Sequence, residues 1–111
     1  MKAHLLFICS GDKDRSPTAV GLFKGSKRYL AKSAGTHSDA IRVVDQKLVD
    51  WADIIFVMSE GTNKHRTFLK KHFDLRGKRI HDLKIRDMYD KNNVRLIGLL
   101  RKRISKLINV L

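Results

Sequence analysis

Short apolar runs alternate with helix-like segments from one end of this chain to the other, and that alternation is the strongest constraint on its fold. Residues 3–8, AHLLFI, read as a buried strand. Residues 29–33 read as a second strand, 53–58 (DIIFVM) as a third buried on both faces, and 78–83 as a fourth. Between them lie helical segments. Ser16-Pro17 has the residues of a helix start, serine as N-cap and proline in the first turn. Asp45 caps a segment over 46–52, and Ser59 caps a helix with Phe68, Leu69 and Phe73 facing inward. From Asn92 or Asn93 a last helix is predicted to the chain end, with Val94, Ile97, Leu100, Ile104, Leu107, Ile108 and Leu111 as its apolar stripe. Residues 33–36 read as loop, and Gly25 as the stop of the first helix. Strand-helix alternation of this kind implies an α/β fold with a parallel sheet and helices on both faces. The chain of 111 residues is expected to form one domain, 1–111.

Charge and cysteine content narrow the function. The net charge is +13, which attracts anions: phosphate esters, acidic protein segments, acidic membranes or nucleic acid. No apolar run approaches the roughly 20 residues of a membrane span. The first apolar run is too short for a secretory signal core, so a cytoplasmic protein is expected. The single cysteine, Cys9, excludes an intrachain disulfide and a multi-cysteine zinc site. His4, His65, His72 and His81 show no ligand spacing and read as surface or strand residues. No metal or cofactor is expected.

Chemistry concentrates where the first strand ends. In open parallel sheets ligands bind at the carboxyl ends of strands. Cys9 stands there, followed by Ser10, Gly11, Asp12, Lys13, Asp14, Arg15 and Ser16. Such a loop curls its N–H groups inward as an anion nest, and the following helix start adds positive potential. Arg15 has the planar fork for two phosphate oxygens. Gly11 supplies backbone freedom for a tight loop. A thiol in such a field ionises near neutral pH and becomes a nucleophile. An acid is needed for the leaving group, and Asp82, Asp87 and Asp90 all lie in HDLKIRDMYDKNN.

LLFICSGDKDRSPTA, KSAGTHS and WADIIFVMSE together resemble the low-molecular-weight protein tyrosine phosphatases, more closely a compact prokaryotic branch of predicted tyrosine phosphatases. The resemblance covers nearly the whole chain. It implies a three-layer α/β fold with a four-stranded parallel sheet of order 2-1-3-4. It implies Cys9 as nucleophile, Arg15 and the 10–16 loop as phosphate binders, Ser33 as loop support and Ser16 as hydrogen-bond donor to the thiolate. It implies Asp87 as acid, because Asp87-Met88-Tyr89 stands where the family has aspartate-proline-aromatic, and Tyr89 as substrate wall. Substrates would be phosphotyrosine proteins or other phosphomonoesters, with no cofactor. Three positions depart from the pattern: Asp12 replaces an asparagine, Asp14 a second cysteine, and Met88 a proline. The acidic loop side chains are expected to point outward. His37 and Ser38 read as loop residues that lie near the pocket mouth or simply in solvent.

Two other readings follow from the same residues. One is a catalytically weak or dead module binding phosphate or polyanions such as RNA, for which no recognition motif is present. The other is arsenate reduction, which with Cys9 alone requires an outside thiol.

Overall fold

The computed structural model describes residues 1–109. Its elements run β1 (Ala3–Cys9), α1 (Arg15–Gly21), β2 (Tyr29–Gly35), α2 (Gln46–Trp51), β3 (Ile54–Val57), α3 (Glu60–Asn63), α4 (His65–His72), β4 (Arg79–Asp82) and α5 (Val94–Ser105). The four strands form one sheet of order β2-β1-β3-β4, and each adjacent pair is parallel. Strand β1 is therefore central, and side chains alternate between its two faces. Leu5, Phe7 and Cys9 pack with Phe56, Leu96, Leu100 and Ile104 on the side of α1 and α5. Leu6 and Ile8 pack with Val49, Ile55, Val57 and Leu69 on the side of α2 and α4. Burial on both faces explains why β1 and β3 are continuous apolar runs. Among the described residues, no helix is long and apolar enough to cross a membrane.

Three helix starts behave as their sequences require. Asp45 accepts from the Leu48 N–H, Ser59 from the Thr62 N–H, and Asn93 from the Arg95 and Leu96 N–H groups. Four expectations need correction. Helix α1 begins at Arg15, with Asp14 as N-cap and no side-chain cap. Ser16 is therefore inside the helix, and Pro17 still sits in the first turn, where its missing N–H has no intrahelical partner to lose. The helix after Ser59 is two helices, broken at Lys64, whose φ of 55° is left-handed. Strand β2 runs on through Gly35, paired to Cys9, where loop was expected. The buried stripe of α5 is Leu96, Leu100 and Ile104, while Val94 is 83% exposed and Leu107 is also exposed. Leu111, placed in that stripe from sequence, lies outside the described residues.

The Cys9–Gly35 pairing positions the site. Both strands end side by side, so the loop after β1 crosses directly over the end of β2. A Cβ on Gly35 would lie 2.4 Å from the Ser10 carbonyl oxygen and 2.9 Å from the Asp12 nitrogen. Those are main-chain atoms that cannot rotate away. Gly35→Ala is expected to destabilise the fold by about 3 kcal/mol, read by urea unfolding. Near-wild-type stability would contradict this close approach.

Candidate active site

The loop from Ser10 to Asp14 is held from outside through its carbonyls. Cys9 O accepts from Thr36 N–H at 3.0 Å, Ser10 O from His37 N–H at 3.0 Å, and Gly11 O from Ile41 N–H at 3.0 Å. In a trans peptide the carbonyl and the next N–H point in opposite directions. With these carbonyls turned out to residues 36–41, the N–H groups of Ser10, Gly11 and Asp12 turn inward. None of the N–H groups from Ser10 to Asp14 has a partner among the described residues. Ser10 and Gly11 line a cavity of about 180 Å³ together with Cys9, Lys13, Asp14, Arg15, His37 and Asp87.

Arg15 is 1% exposed and is the largest fully buried side chain. Its Nη1 donates to Ile85 O at 2.8 Å and to Asn63 Oδ1 at 3.0 Å. Both Nη1 protons are thereby used, which leaves the Nε and Nη2 edge of the guanidinium for a ligand. That edge is the one that forms a two-point bond to an oxyanion. On the same side Asp87 Oδ1 lies 3.9 Å from Nε, with its side chain 58% exposed. Burial lowers the pKa of Arg15 from its ordinary value, and the charges of Cys9, Asp87 and Asp14 push it back up. An arginine so placed remains a cation.

The two loop acids go in different directions. Asp14 Oδ1 accepts the Lys91 N–H at 3.0 Å. Asp14 O accepts the Thr18 hydroxyl at 2.7 Å, and Thr18 Oγ1 in turn accepts the Asn92 N–H at 2.9 Å. The segment that carries Asp87 is stapled to the loop after β1 and the start of α1 by these bonds. Asp12, expected to point outward, is instead buried, and its Oδ1 has no hydrogen-bond partner among the described residues. It takes a left-handed conformation, φ 53°. Short polar side chains tolerate that region, whereas Gly11 shows no positive φ. Burial raises the Asp12 pKa, while a hydrogen bond from Ser33 and the charge of Arg42 pull it down. Ser33 thus reaches the loop through Asp12.

The remaining residues divide. Asp82 Oδ1 accepts the Glu60 and Lys84 N–H groups and is tied into the main chain. Asp90 is exposed and contributes its carbonyl to Asn93 N–H. Tyr89 packs against the core on the α5 side and does not line the cavity. His37 lines it and Ser38 does not. The Ser16 hydroxyl is fully buried with no partner among the described residues. Sequence reasoning missed Asn63 and His65. His65, read as a surface or strand residue, is fully buried against Ser10. The apolar face of the helix it begins gives no sign of it, because its partners lie far away in sequence. Among the described residues, no group of three or more His, Cys, Asp or Glu side chains is placed to hold a metal ion.

The sheet order, the loop at the end of β1 and the flanking helices define the fold of the low-molecular-weight protein tyrosine phosphatases. The chain matches the tyrosine phosphatase Wzb from Escherichia coli K30 with a TM-score of 0.74 and 20% identity, over 96% of both chains. It matches the low-molecular-weight protein tyrosine phosphatase from T. tengcongensis with a TM-score of 0.67 and 22% identity, over 96% of this chain and 100% of that one. It also matches the YwlE arginine phosphatase from Geobacillus stearothermophilus, with a TM-score of 0.67 and 19% identity over 94% and 91%. No family model and no curated protein matches the sequence.

The buried Asp12 carboxylate carries a penalty that an uncharged isostere avoids. Asp12→Asn is expected to stabilise the protein at pH 7 by about 0.5–1 kcal/mol, a modest gain because Ser33 and Arg42 already offset part of the burial. A raised folded-state pKa means the wild type recovers stability as pH falls through that pKa and Asp12 takes up its proton. The difference between the variants should therefore shrink on acidification. Urea unfolding from pH 7 to pH 4 checks this, and a gap that widens would contradict it.

Proposed function

We propose that this protein is a cysteine-dependent phosphomonoester hydrolase acting through a phosphocysteine intermediate, with phosphotyrosine proteins as its substrate class. The observation that carries the reading is the cavity itself. Cys9, unpartnered main-chain N–H groups and the free edge of Arg15 converge on it, and Asp87 stands at its side. The Cys9 thiolate attacks phosphorus, forming the S–P bond as the P–O bond to the leaving group breaks. The loop amides and Arg15 hold the equatorial oxygens, where transition-state charge resides. Asp87 gives its proton to the departing oxygen. It then takes one from a water that attacks phosphorus, breaks the S–P bond and releases inorganic phosphate. The Ser16 hydroxyl, buried and without a partner among the described residues, is available to turn to the sulfur as the S–P bond breaks and make it a better leaving group. Solved structures with the same fold include tyrosine phosphatases and an arginine phosphatase, which support phosphoryl transfer in this cavity.

One observation favours a second reading, a binding module without turnover. Asp12 places a carboxylate inside a loop built for anions, and its charge weakens the attraction such a loop offers to a phosphate. Arsenate reduction fits poorly, since Cys9 has no second cysteine in the chain.

Hydrolysis of p-nitrophenyl phosphate separates the readings. The wild type should turn over in a vanadate-sensitive reaction and Cys9→Ser should be inactive. Asp87→Asn should lose roughly 10²–10⁴-fold in kcat. A wild type without turnover, with salt-sensitive RNA binding retained in Cys9→Ser, would establish the module instead.

A further inference from the structure

His65 is a buried titratable group that the mechanism above does not use. Two hydrogen bonds clamp it to one residue: the Ser59 N–H donates to its Nδ1 at 3.0 Å, and its own N–H donates to Ser59 O at 3.3 Å. The left-handed turn at Lys64 makes this possible by ending α3 and starting α4 at His65. The Ser59 N–H is a donor only, so Nδ1 must be the unprotonated nitrogen. A neutral imidazole then carries its proton on Nε2. That Nε2 lies 3.0 Å from Ser10 Oγ, so it donates to the Ser10 hydroxyl oxygen. The Ser10 proton is left over. It has no acceptor among the described residues, and Ser10 lines the cavity directly after Cys9.

From this geometry we infer that His65 is a positioning residue that turns the Ser10 O–H into the cavity as a side-chain donor to the bound phosphoryl group. The inference rests on the phosphatase reading of that cavity. The tautomer is held across the neutral range, because burial and the charge of Arg15 push His65 down to about 3. The ring therefore neither gains a second proton nor reverses its bond to Ser10 at working pH. A donor fixed in this way costs no reorganisation as charge develops on the phosphoryl oxygens.

A double-mutant cycle tests the coupling. Wild type, Ser10→Ala, His65→Phe and the double variant are compared for kcat on p-nitrophenyl phosphate and for equilibrium binding of inorganic phosphate. Each single variant should lose about 10–100-fold in kcat, and the double variant should lose no more than the worse single one. Losses that multiply, or a Ser10→Ala variant with wild-type kcat and phosphate affinity, would overturn the inference. If His65→Phe does not fold, Ser10→Ala together with imidazole ¹⁵N shifts in the wild type decides it. Protonation at Nε2 supports the inference, and protonation at Nδ1 overturns it. If the wild type binds phosphate without turnover, the hydrolase reading alone fails, and the cycle is read from phosphate affinity. A wild type that binds no phosphate removes both.

Discussion

A cation with almost no access to water sits at the centre of this molecule. Removing a guanidinium from solvent is costly unless hydrogen bonds and opposite charge replace the lost hydration. Arg15 obtains them from three places at once: Ile85 O in the segment after β4, Asn63 Oδ1 at the end of α3, and the nearby Asp87 carboxylate. The start of α1, the end of α3 and the β4–α5 connection are therefore joined through one side chain. The same bonds choose which edge of the guanidinium is free, so the structural and ligand-facing roles of Arg15 are divided between its nitrogens.

The connection between β4 and α5 gains its definition in the same way. Met88 stands where a proline would have restricted the main chain. Order comes instead from anchors at both ends. Ile85 N–H donates to Met58 O at 2.7 Å, and Arg103 Nη1 donates to the carbonyls of Leu83 and Lys84. At the far end Asp14 and Thr18 hold Lys91 and Asn92. Between these anchors Leu83 and Ile85 are buried and Tyr89 half-buried, while Asp87 and Met88 are exposed. Held on one flank by Met58 and Arg103 and on the other by Asp14 and Thr18, the segment keeps Asp87 near Arg15 without a rigid neighbour.

What the sequence made legible was local. Buried runs gave the strands, because β1 and β3 are covered on both faces, and side-chain oxygens gave the caps at Asp45, Ser59 and Asn93. The loop from Cys9 to Arg15 was readable because its chemistry is compressed into one segment. What stayed hidden depended on partners distant in sequence. His65 breaks a helix that propensity alone would continue, in favour of contacts to Ser59 and to Ser10, 55 residues away. Ser16 looks like a cap, yet Asp14 takes that position and the hydroxyl is left inside. The α5 stripe was read correctly at Leu100 and Ile104 and wrongly at its start, because Val94 and Ile97 fit a three-four spacing to Leu100 as well as Leu96 does. Only the docking of α5 against the sheet distinguishes the two.

The two aspartates in the phosphate loop show how such a loop can carry acids at all. An anion nest works because N–H groups converge, and each inward N–H forces its preceding carbonyl outward. Asp14 stays at the cavity edge, where its Oδ1 accepts the main-chain N–H of Lys91. Asp12 cannot, because its left-handed backbone turns its side chain under the loop, towards Ser33 and the charge of Arg42. Its carboxylate is thus separated from the cavity side of the loop and met by a cation from another segment. The charged side chains lining the cavity are then Lys13, Asp14, Arg15 and Asp87. Two acids are thus accommodated in one loop by different means, Asp12 by burial towards Ser33 and Arg42 and Asp14 by a main-chain bond at the cavity edge.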